Sequence, residues 1–361
     1  MSELRVFSGR LFGTTVYGGT TNPRCSLGCG TLFSMDASGS ERVVYRFKGG
    51  SDGAAPLAGV VAGTVLYGTT SAGGGAAQCG GGCGTVFKVS TNGKFESVLH
   101  AFAAGTDGAA PVAGLVRSGG IFYGTTEYGG QATRLCPNGC GTVFSIHPDG
   151  VERVMYRFKG GKDGAFPIAP LYAFGGRLYG TTQYGGRSTQ FCATGCGTVF
   201  KITPTGIKKT LHAFTYAPSA KDGAYPAAGL VALRGKLYGT TLGGGKYADG
   251  TVVEIDPSSG SERVLHAFEC CGTITDGEHP VAALVAVNGA LFGTTRDGGL
   301  SGQGTVFEIR ASSDETVLHD FAGKPDGATP SAALTSFASK LYGTAADGGS
   351  RSEGAVFALR P

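Results

Sequence analysis

Short apolar stretches of four to seven residues, rich in Val, Phe, Tyr and Thr, recur along the whole chain, each bounded by Gly, Asn, Asp or Pro. That alternation of β-branched and aromatic runs with turn residues is the signature of short strands, and no stretch carries apolar residues at helical spacing. The strands come in groups of four. One group runs through Leu66-Tyr67-Gly68-Thr69-Thr70, a Gly-Gly and a variable loop, Thr85 to Val89, a polar turn, and Val98 to Phe102. It closes with the turn Asp107-Gly108-Ala109-Ala110-Pro111 and the apolar run Val112 to Val116.

The group is written seven times. Its aromatic-Gly-Thr-Thr element starts at Phe12, Tyr67, Tyr123, Tyr179, Tyr238, Phe292 and Tyr342, with successive spacings of 55, 56, 56, 59, 54 and 50 residues. Four short strands in a repeat of this length is the arithmetic of a propeller blade, since a lone four-stranded meander cannot bury both of its faces. The predicted fold is therefore an all-β, seven-bladed β-propeller of four-stranded antiparallel blades, as one domain spanning 1–361. The blades fall at about 1–56, 57–111, 112–167, 168–226, 227–280, 281–330 and 331–361. A β-solenoid with long rungs is the alternative, although its repeat is usually shorter and lacks four separate turn signals. With strands lettered a to d from the apolar run after the proline, the chain starts in strand a (Leu4 to Phe7) and stops in strand c (Ala355 to Leu359). The last blade is thus expected to have three strands, or the native protein to continue.

Composition narrows the functional classes. Glycine accounts for 66 of 361 residues and charged residues for only 16%, while 41% are hydrophobic, enough for a sizeable core. This is a turn-rich globular chain, neither disordered nor collagen-like. Apolar runs such as Val281 to Val287 fall well short of the roughly 18 residues that a spanning helix needs. A net charge of +4 with scattered Lys and Arg offers no phosphate-binding surface, so nucleic acid is not an expected partner.

The composite of aromatic-Gly-Thr-Thr, Gly-Gly, Gly-Thr-Val-Phe and Asp-Gly-x-x-Pro elements resembles the GloVer tandem repeat, a glycine-rich repeat of bacterial proteins with interchangeable C-terminal anchors. The resemblance covers almost the whole chain. It implies a secreted or surface-anchored protein and brings no established activity or catalytic residues. No leader precedes Leu4 and no anchor follows Pro361, so a processed or trimmed form is expected.

Eight of the ten cysteines form Cys-x-x-x-Cys pairs: Cys25 with Cys29, Cys79 with Cys83, Cys136 with Cys140 and Cys192 with Cys196. All lie in the loop between strands b and c, which holds 10, 9, 10 and 10 residues in the first four repeats against 5, 4 and 4 in the rest. Cysteines only where the loop is long are what local disulfide staples would produce, and they point to an oxidising compartment. The alternatives are free thiols, or zinc held by two thiolates per blade, which is half a tetrahedral site. Cys270 and Cys271 are adjacent, and either form a strained vicinal disulfide or stand unbonded in a loop.

Propeller geometry puts the b-to-c and d-to-a loops on one face. The opposite face has only tight turns such as Arg234-Gly235 and Asn92-Gly93. Binding is therefore assigned to the loop-bearing face. Asp52, Asp107, Asp163, Asp222, Asp276 and Asp326 sit in its Asp-Gly turns. They either cap those turns through backbone N–H bonds or ring the channel mouth as ligands for a calcium ion, the one cofactor considered. His100, His212, His266 and His319 recur at one place in strand d, with Tyr45 and Tyr156 standing in. Such repetition reads as blade architecture rather than catalysis.

Departures from the chain's own consensus on the open face mark what the scaffold does not require. The middle residues of Asp-Gly-x-x-Pro become Ala165-Phe166, Ala224-Tyr225 and Glu278-His279 in the third to fifth repeats, and after strand b stand Tyr17, Glu127, Tyr128, Gln183, Tyr184, Arg296 and Asp297. Tyrosines beside carboxylates and amides suit sugars, through stacking and hydrogen bonds to hydroxyls, unless these tyrosines only pack under the long loops. Three functions follow. The first is an extracellular, monomeric binding propeller for carbohydrate or a cell-surface protein. The second is a polysaccharide lyase or hydrolase using Glu278 and His279 as its acid/base pair. The third is a structural or adhesive surface module.

Overall fold

Each repeat folds into one antiparallel sheet whose strands pair in chain order. In the computed structural model, which describes residues 2–62, 65–216, 222–269, 276–310 and 315–361, the first blade consists of Arg5–Phe7, Arg10–Thr15, Thr31–Met35 and Glu41–Arg46. The third repeats it with Val116–Ser118, Ile121–Thr126, Thr142–Ile146 and Glu152–Arg157. The chain is an all-β, seven-bladed propeller, as its periodicity predicts. In the seventh blade Thr335–Phe337, Lys340–Asp347 and Ala355–Leu359 form strands a to c, and no strand d follows. A fourth, short strand, Ala328–Pro330, pairs instead with the far end of strand b, Ala328 opposite Asp347 and Pro330 opposite Ala345. The same turn pairs with the end of strand b in other blades, as the bridges Ala54–Ala72, Ala109–Tyr128 and Glu278–Asp297 and as the short ladder of Gly223–Ala224 with Gly243–Gly244; in the last blade strand b runs on to Asp347 and takes the segment into its sheet.

By contacts the chain divides into two compact units. One consists of Met1–Gly160, Ala165–Leu178 and Ile202–Lys208, the other of Gly161–Gly164, Tyr179–Lys201 and Lys209–Pro361. Within each unit the hydrophobic clusters are shared by successive blades. Phe12, Leu32 and Phe47 of the first blade pack with Leu66, Phe87 and Val89 of the second, and Val252 and Phe268 of the fifth pack with Leu291 and Phe307 of the sixth. A phenylalanine that follows strand d meets strand c of the next blade edge to face. Phe47–Phe87 and Phe102–Phe144 do so at 5.0 and 5.1 Å in the first unit, and Phe268–Phe307 and Phe321–Phe357 at 5.1 and 4.9 Å in the second.

The Thr-Thr pairs supply the polar half of the same joint. In the second to fifth blades the first hydroxyl donates to a backbone carbonyl in the segment entering the next blade: Thr69 to Ala113 (2.9 Å), Thr125 to Ala169 (3.3 Å), Thr181 to Ala228 (3.1 Å) and Thr240 to Ala282 (3.0 Å); the Thr294 hydroxyl of the sixth blade is buried without such a partner. The second hydroxyl bonds across to strand c, as in Thr126–Thr142 at 2.8 Å and Thr241–Thr251 at 2.7 Å. The glycine before each pair is set by close approach. A Cβ on Gly124 would lie 2.5 Å from the Phe144 ring.

Strand d is bulged against strand c in the first, second, third, fifth and sixth blades, for example between Val143 and Phe144. A bulge adds local twist and re-aims the residues around it, here at the position that carries His or Tyr. The a-to-b turns are tight, with Arg234 and Gly235 at φ 50° and 80°, and Asn288 and Gly289 at 51° and 82°, the left-handed pair of a type I′ hairpin.

If the threonine hydroxyl is a joint between blades, Thr125→Val leaves the buried Ala169 carbonyl unpaired and lowers unfolding free energy by about 1–2 kcal/mol. Gly124→Ala drives a methyl into the Phe144 ring and costs at least as much, about 1–3 kcal/mol. Denaturant unfolding checks both, and unchanged midpoints would contradict this account of the joint.

Candidate functional site

The long b-to-c loops are stapled as their cysteine spacing predicts. Cys25–Cys29, Cys79–Cys83, Cys136–Cys140 and Cys192–Cys196 are disulfides with Cα separations of 5.1 to 5.3 Å, inside the usual window. These sulfurs are therefore not available as zinc-binding thiolates or free thiols. Cys270 and Cys271 lie outside the described residues. Each staple also fixes the neighbouring d-to-a connection, because the carbonyl of its second cysteine accepts an N–H from the second variable residue of Asp-Gly-x-x-Pro. The donors are Ala55 to Cys29, Ala110 to Cys83, Phe166 to Cys140 and Tyr225 to Cys196, at 2.7 to 3.0 Å. In the shorter loops His279 donates to Asp249 and Thr329 to Gln303.

All six of these residues are left-handed: Ala55, Ala110, Phe166, Tyr225, His279 and Thr329 have φ between 52° and 58°. Non-glycine residues pay a conformational cost there, yet none of the six is glycine. The repeated backbone thus presents one side chain per blade at a fixed place, and the sequence varies only which one. Phe166 meets Tyr128 edge to face at 5.7 Å, and Tyr225 meets Tyr184 at 5.6 Å. Tyr225 also donates its hydroxyl to the Phe191 carbonyl at 3.4 Å. Tyr17 is 62% exposed and Tyr128 38%, so neither is merely filler beneath a loop. Gln183 is half-buried, like Glu127, whose backbone N–H is held by the Ala110 carbonyl.

Where the variable residue is only a methyl, the space stays open. Beside Ala110 lies a groove of about 490 Å³, bordered by the Cys79–Cys83 staple, Tyr128, Pro137, Asn138 and Gln78. No lining residue carries a charge. Phe166 holds the Tyr128 ring at its side, so an aromatic surface is fixed before any ligand arrives.

A different chemistry is assembled at Glu278–His279. His279 Nδ1 lies 3.0 Å from Asp297 Oδ2, which also accepts from Arg296 Nε at 2.7 Å, and Glu278 Oε2 is 3.9 Å from the imidazole. Burial pushes the Glu278 carboxyl above its ordinary value. The structure thus brings the pair Glu278 and His279 against Arg296 and Asp297, two of the outliers after strand b.

The turn aspartates face strand d of their own blades. Asp107 meets His100 at 3.2 Å and accepts the Ala103 N–H, Asp222 meets His212 at 3.3 Å and accepts the Thr215 N–H, and Asp276 meets His266 at 2.6 Å and accepts the Glu269 N–H. Asp326 pairs with His319 at 3.0 Å, and Asp52 with the Tyr45 hydroxyl at 2.7 Å. Asp163 ends a short 3-10 turn, Gly161–Asp163. Turn capping and an anchor to strand d are thus the observed roles of Asp52, Asp107, Asp222, Asp276 and Asp326. The strand-d histidines are explained by the same contact. Sequence reading missed the third member, a glutamate at the start of the next blade's strand d. Burial, reinforced by Asp52, pushes Glu96 up to about 7, and burial pushes Glu152 and Glu262 to about 7 and Glu315 to about 8. The signal was the recurrence of Glu four residues before His or Tyr.

Replacing Cys192 and Cys196 by alanine removes a short-loop constraint and costs about 2 kcal/mol by chain-entropy reckoning. Alkylation of the native protein at these four pairs should require reductant, and labelling without it would contradict the staples. Glu96, facing Asp52, Tyr45 and Lys48, holds its proton more tightly folded than unfolded. Its stabilising contribution is complete below about pH 4.5 and is lost as pH rises through about 7. Glu96→Gln should flatten that part of the fall in melting temperature between pH 5 and 8, and an unchanged profile would contradict it.

Comparison with curated proteins finds no match. Among solved structures, a catalytically inactive virginiamycin B lyase from Staphylococcus aureus with quinupristin is similar with a TM-score of 0.59 at 12% identity, covering 94% of this chain and 89% of that one. A putative 6-phosphogluconolactonase from Bacteroides uniformis has a TM-score of 0.57 at 14% identity, covering 95% and 89%. At these identities the likeness concerns the fold alone. The Gloeobacter/Verrucomicrobia repeat model matches residues 1–193 and again 188–361, so the chain belongs to that repeat family.

Proposed function

We propose that the protein is an extracellular binding propeller that recognises uncharged carbohydrate through the groove between the stapled loops of the second and third blades. The observation that carries this is the pairing of an oriented, exposed aromatic ring, Tyr128, with an uncharged groove rimmed by the carboxamides of Gln78 and Asn138. A sugar ring stacks its C–H face on such an aromatic surface while amides address its hydroxyls. The rigidity supplied by the Cys79–Cys83 and Cys136–Cys140 staples limits the ordering cost of binding. An extracellular setting is supported by the disulfides and by the display implied by the repeat family. No helix among the described residues is long and apolar enough to cross a membrane.

The Glu278–His279–Asp297 constellation favours a second reading. A histidine held through Nδ1 by a carboxylate keeps Nε2 free for proton transfer, and a neighbouring carboxyl with a raised pKa can return the proton. That arrangement serves elimination or hydrolysis of a polysaccharide.

A panel of oligosaccharides and polysaccharides, read both by binding and by release of reducing or unsaturated ends, separates the two. Binding without product, weakened tenfold or more by Tyr128→Ala, a loss of about 1.4 kcal/mol, and severalfold by Phe166→Ala, is the expected result. Product formation abolished by His279→Ala would replace it with the enzymatic reading.

A further inference from the structure

Among the described residues, three junctions between blades gather a histidine, an aspartate and a glutamate. They are His100, Asp107 and Glu152 in the first unit, and His212, Asp222, Glu262 and His266, Asp276, Glu315 in the second. In each, one nitrogen or oxygen from every member lies within 4.8 Å of the other two. We propose that these three clusters bind a divalent transition-metal cation of the Zn²⁺ class, which rivets strand d of one blade to strand d of the next.

The donor set selects the ion. One imidazole nitrogen with two carboxylate oxygens is a borderline ligand set, suited to Zn²⁺ and its neighbours, whereas Ca²⁺ takes oxygen alone. At two of the clusters the spacing is close to that of two ligands on one ion. The imidazole Nε2 stands 3.2 and 3.3 Å from the aspartate oxygen at His100 and His212, and tetrahedral ligand atoms at 2.0–2.2 Å from a shared Zn²⁺ lie roughly 3.3–3.6 Å apart; the 2.6 Å pair at His266 would open on binding. Each aspartate is also oriented by a backbone N–H, from Ala103, Thr215 or Glu269, the outer support that ligating carboxylates commonly have.

The charge balance asks for a cation. Glu152, Glu262 and Glu315, like Glu96 at the first junction, each bury an Oε1 that finds no hydrogen-bond partner. A buried carboxyl oxygen left without a partner is costly, and a cation at the cluster would displace the proton that burial otherwise favours on the glutamate. The chain shows how it solves the problem elsewhere. At the junction where Tyr156 replaces the histidine, Lys208 replaces the glutamate, and its ammonium lies 5.7 Å over the Tyr156 ring. A covalent cation stands there at the sequence position where the other junctions place a carboxylate. At the first junction Tyr45 replaces histidine while Glu96 remains, and the phenol donates to Asp52 at 2.7 Å and lies 3.4 Å from Glu96. With no imidazole, that junction serves as an internal control and is not a metal site.

The test uses the untagged chain, stripped with chelator and titrated with ZnCl₂ at near-neutral pH, with bound metal quantified after dialysis and thermal melting followed in parallel. Three ions per chain, with a melting temperature that rises with free Zn²⁺, are expected. Glu315→Gln and Glu262→Gln, which keep side-chain volume, should each remove one ion, as should His266→Ala, while Glu96→Gln should leave three. The proposal is overturned if no Zn²⁺ is retained, if the glutamine variants still hold three ions, or if Ca²⁺ binds equally well and independently of His266. The readout is independent of any glycan, so it stands apart from the groove.

Discussion

The structure depends on one constraint: a blade of four short strands cannot cover both of its faces, so each blade exists only through its neighbours. The joint is written into two elements of the repeat. The phenylalanine after strand d lies edge to face on the next blade's strand c, and the first threonine of Thr-Thr donates to a carbonyl at that blade's entry. Apolar area supplies most of the stabilisation, but it is indifferent to register. The threonine bond fixes register, because one residue of slip would bury a carbonyl without a donor. Gly124 and its equivalents exist for the same reason, since the Phe144 ring occupies the place of a Cβ.

That architecture separates what repeats from what works. The aspartate of Asp-Gly-x-x-Pro is spent on capping its turn and holding strand d, and the histidine at the end of strand d answers it. What the joint leaves unspecified is the side chain on the left-handed residue above each b-to-c loop, where Ala110, Phe166, Tyr225 and His279 share one backbone conformation. A single scaffold position therefore yields an open groove at one blade, stacked aromatics at the next two and a histidine–carboxylate pair further on. The staples follow the same division, rigidifying the first four loops and leaving the shorter ones to their own turns.

Much of this was legible in the sequence because a repeat serves as its own alignment. Periodicity exposed the blades, loop length against cysteine content exposed the staples, and outliers such as Phe166 and His279 exposed the variable position. Two features were not legible. The recurrence of Glu four residues before His or Tyr was visible, but its meaning was not, because each cluster joins residues about fifty positions apart on different blades, as His100 and Glu152 do. The fourth strand of the last blade, Ala328–Pro330, was hidden because its segment reads as the Asp-Gly-x-x-Pro turn, whose counterparts Ala54, Ala109 and Glu278 make only single bridges to the next strand b.

The most direct measurement of the central claim, that the loop face carries a neutral binding groove, is amide hydrogen exchange across the whole chain with and without an oligosaccharide mixture. Slowed exchange confined to residues 78–83, 104–110 and 128–139 is the result this account requires. Protection centred on Glu278 to Asp297, or spread evenly over all seven repeats, would contradict it.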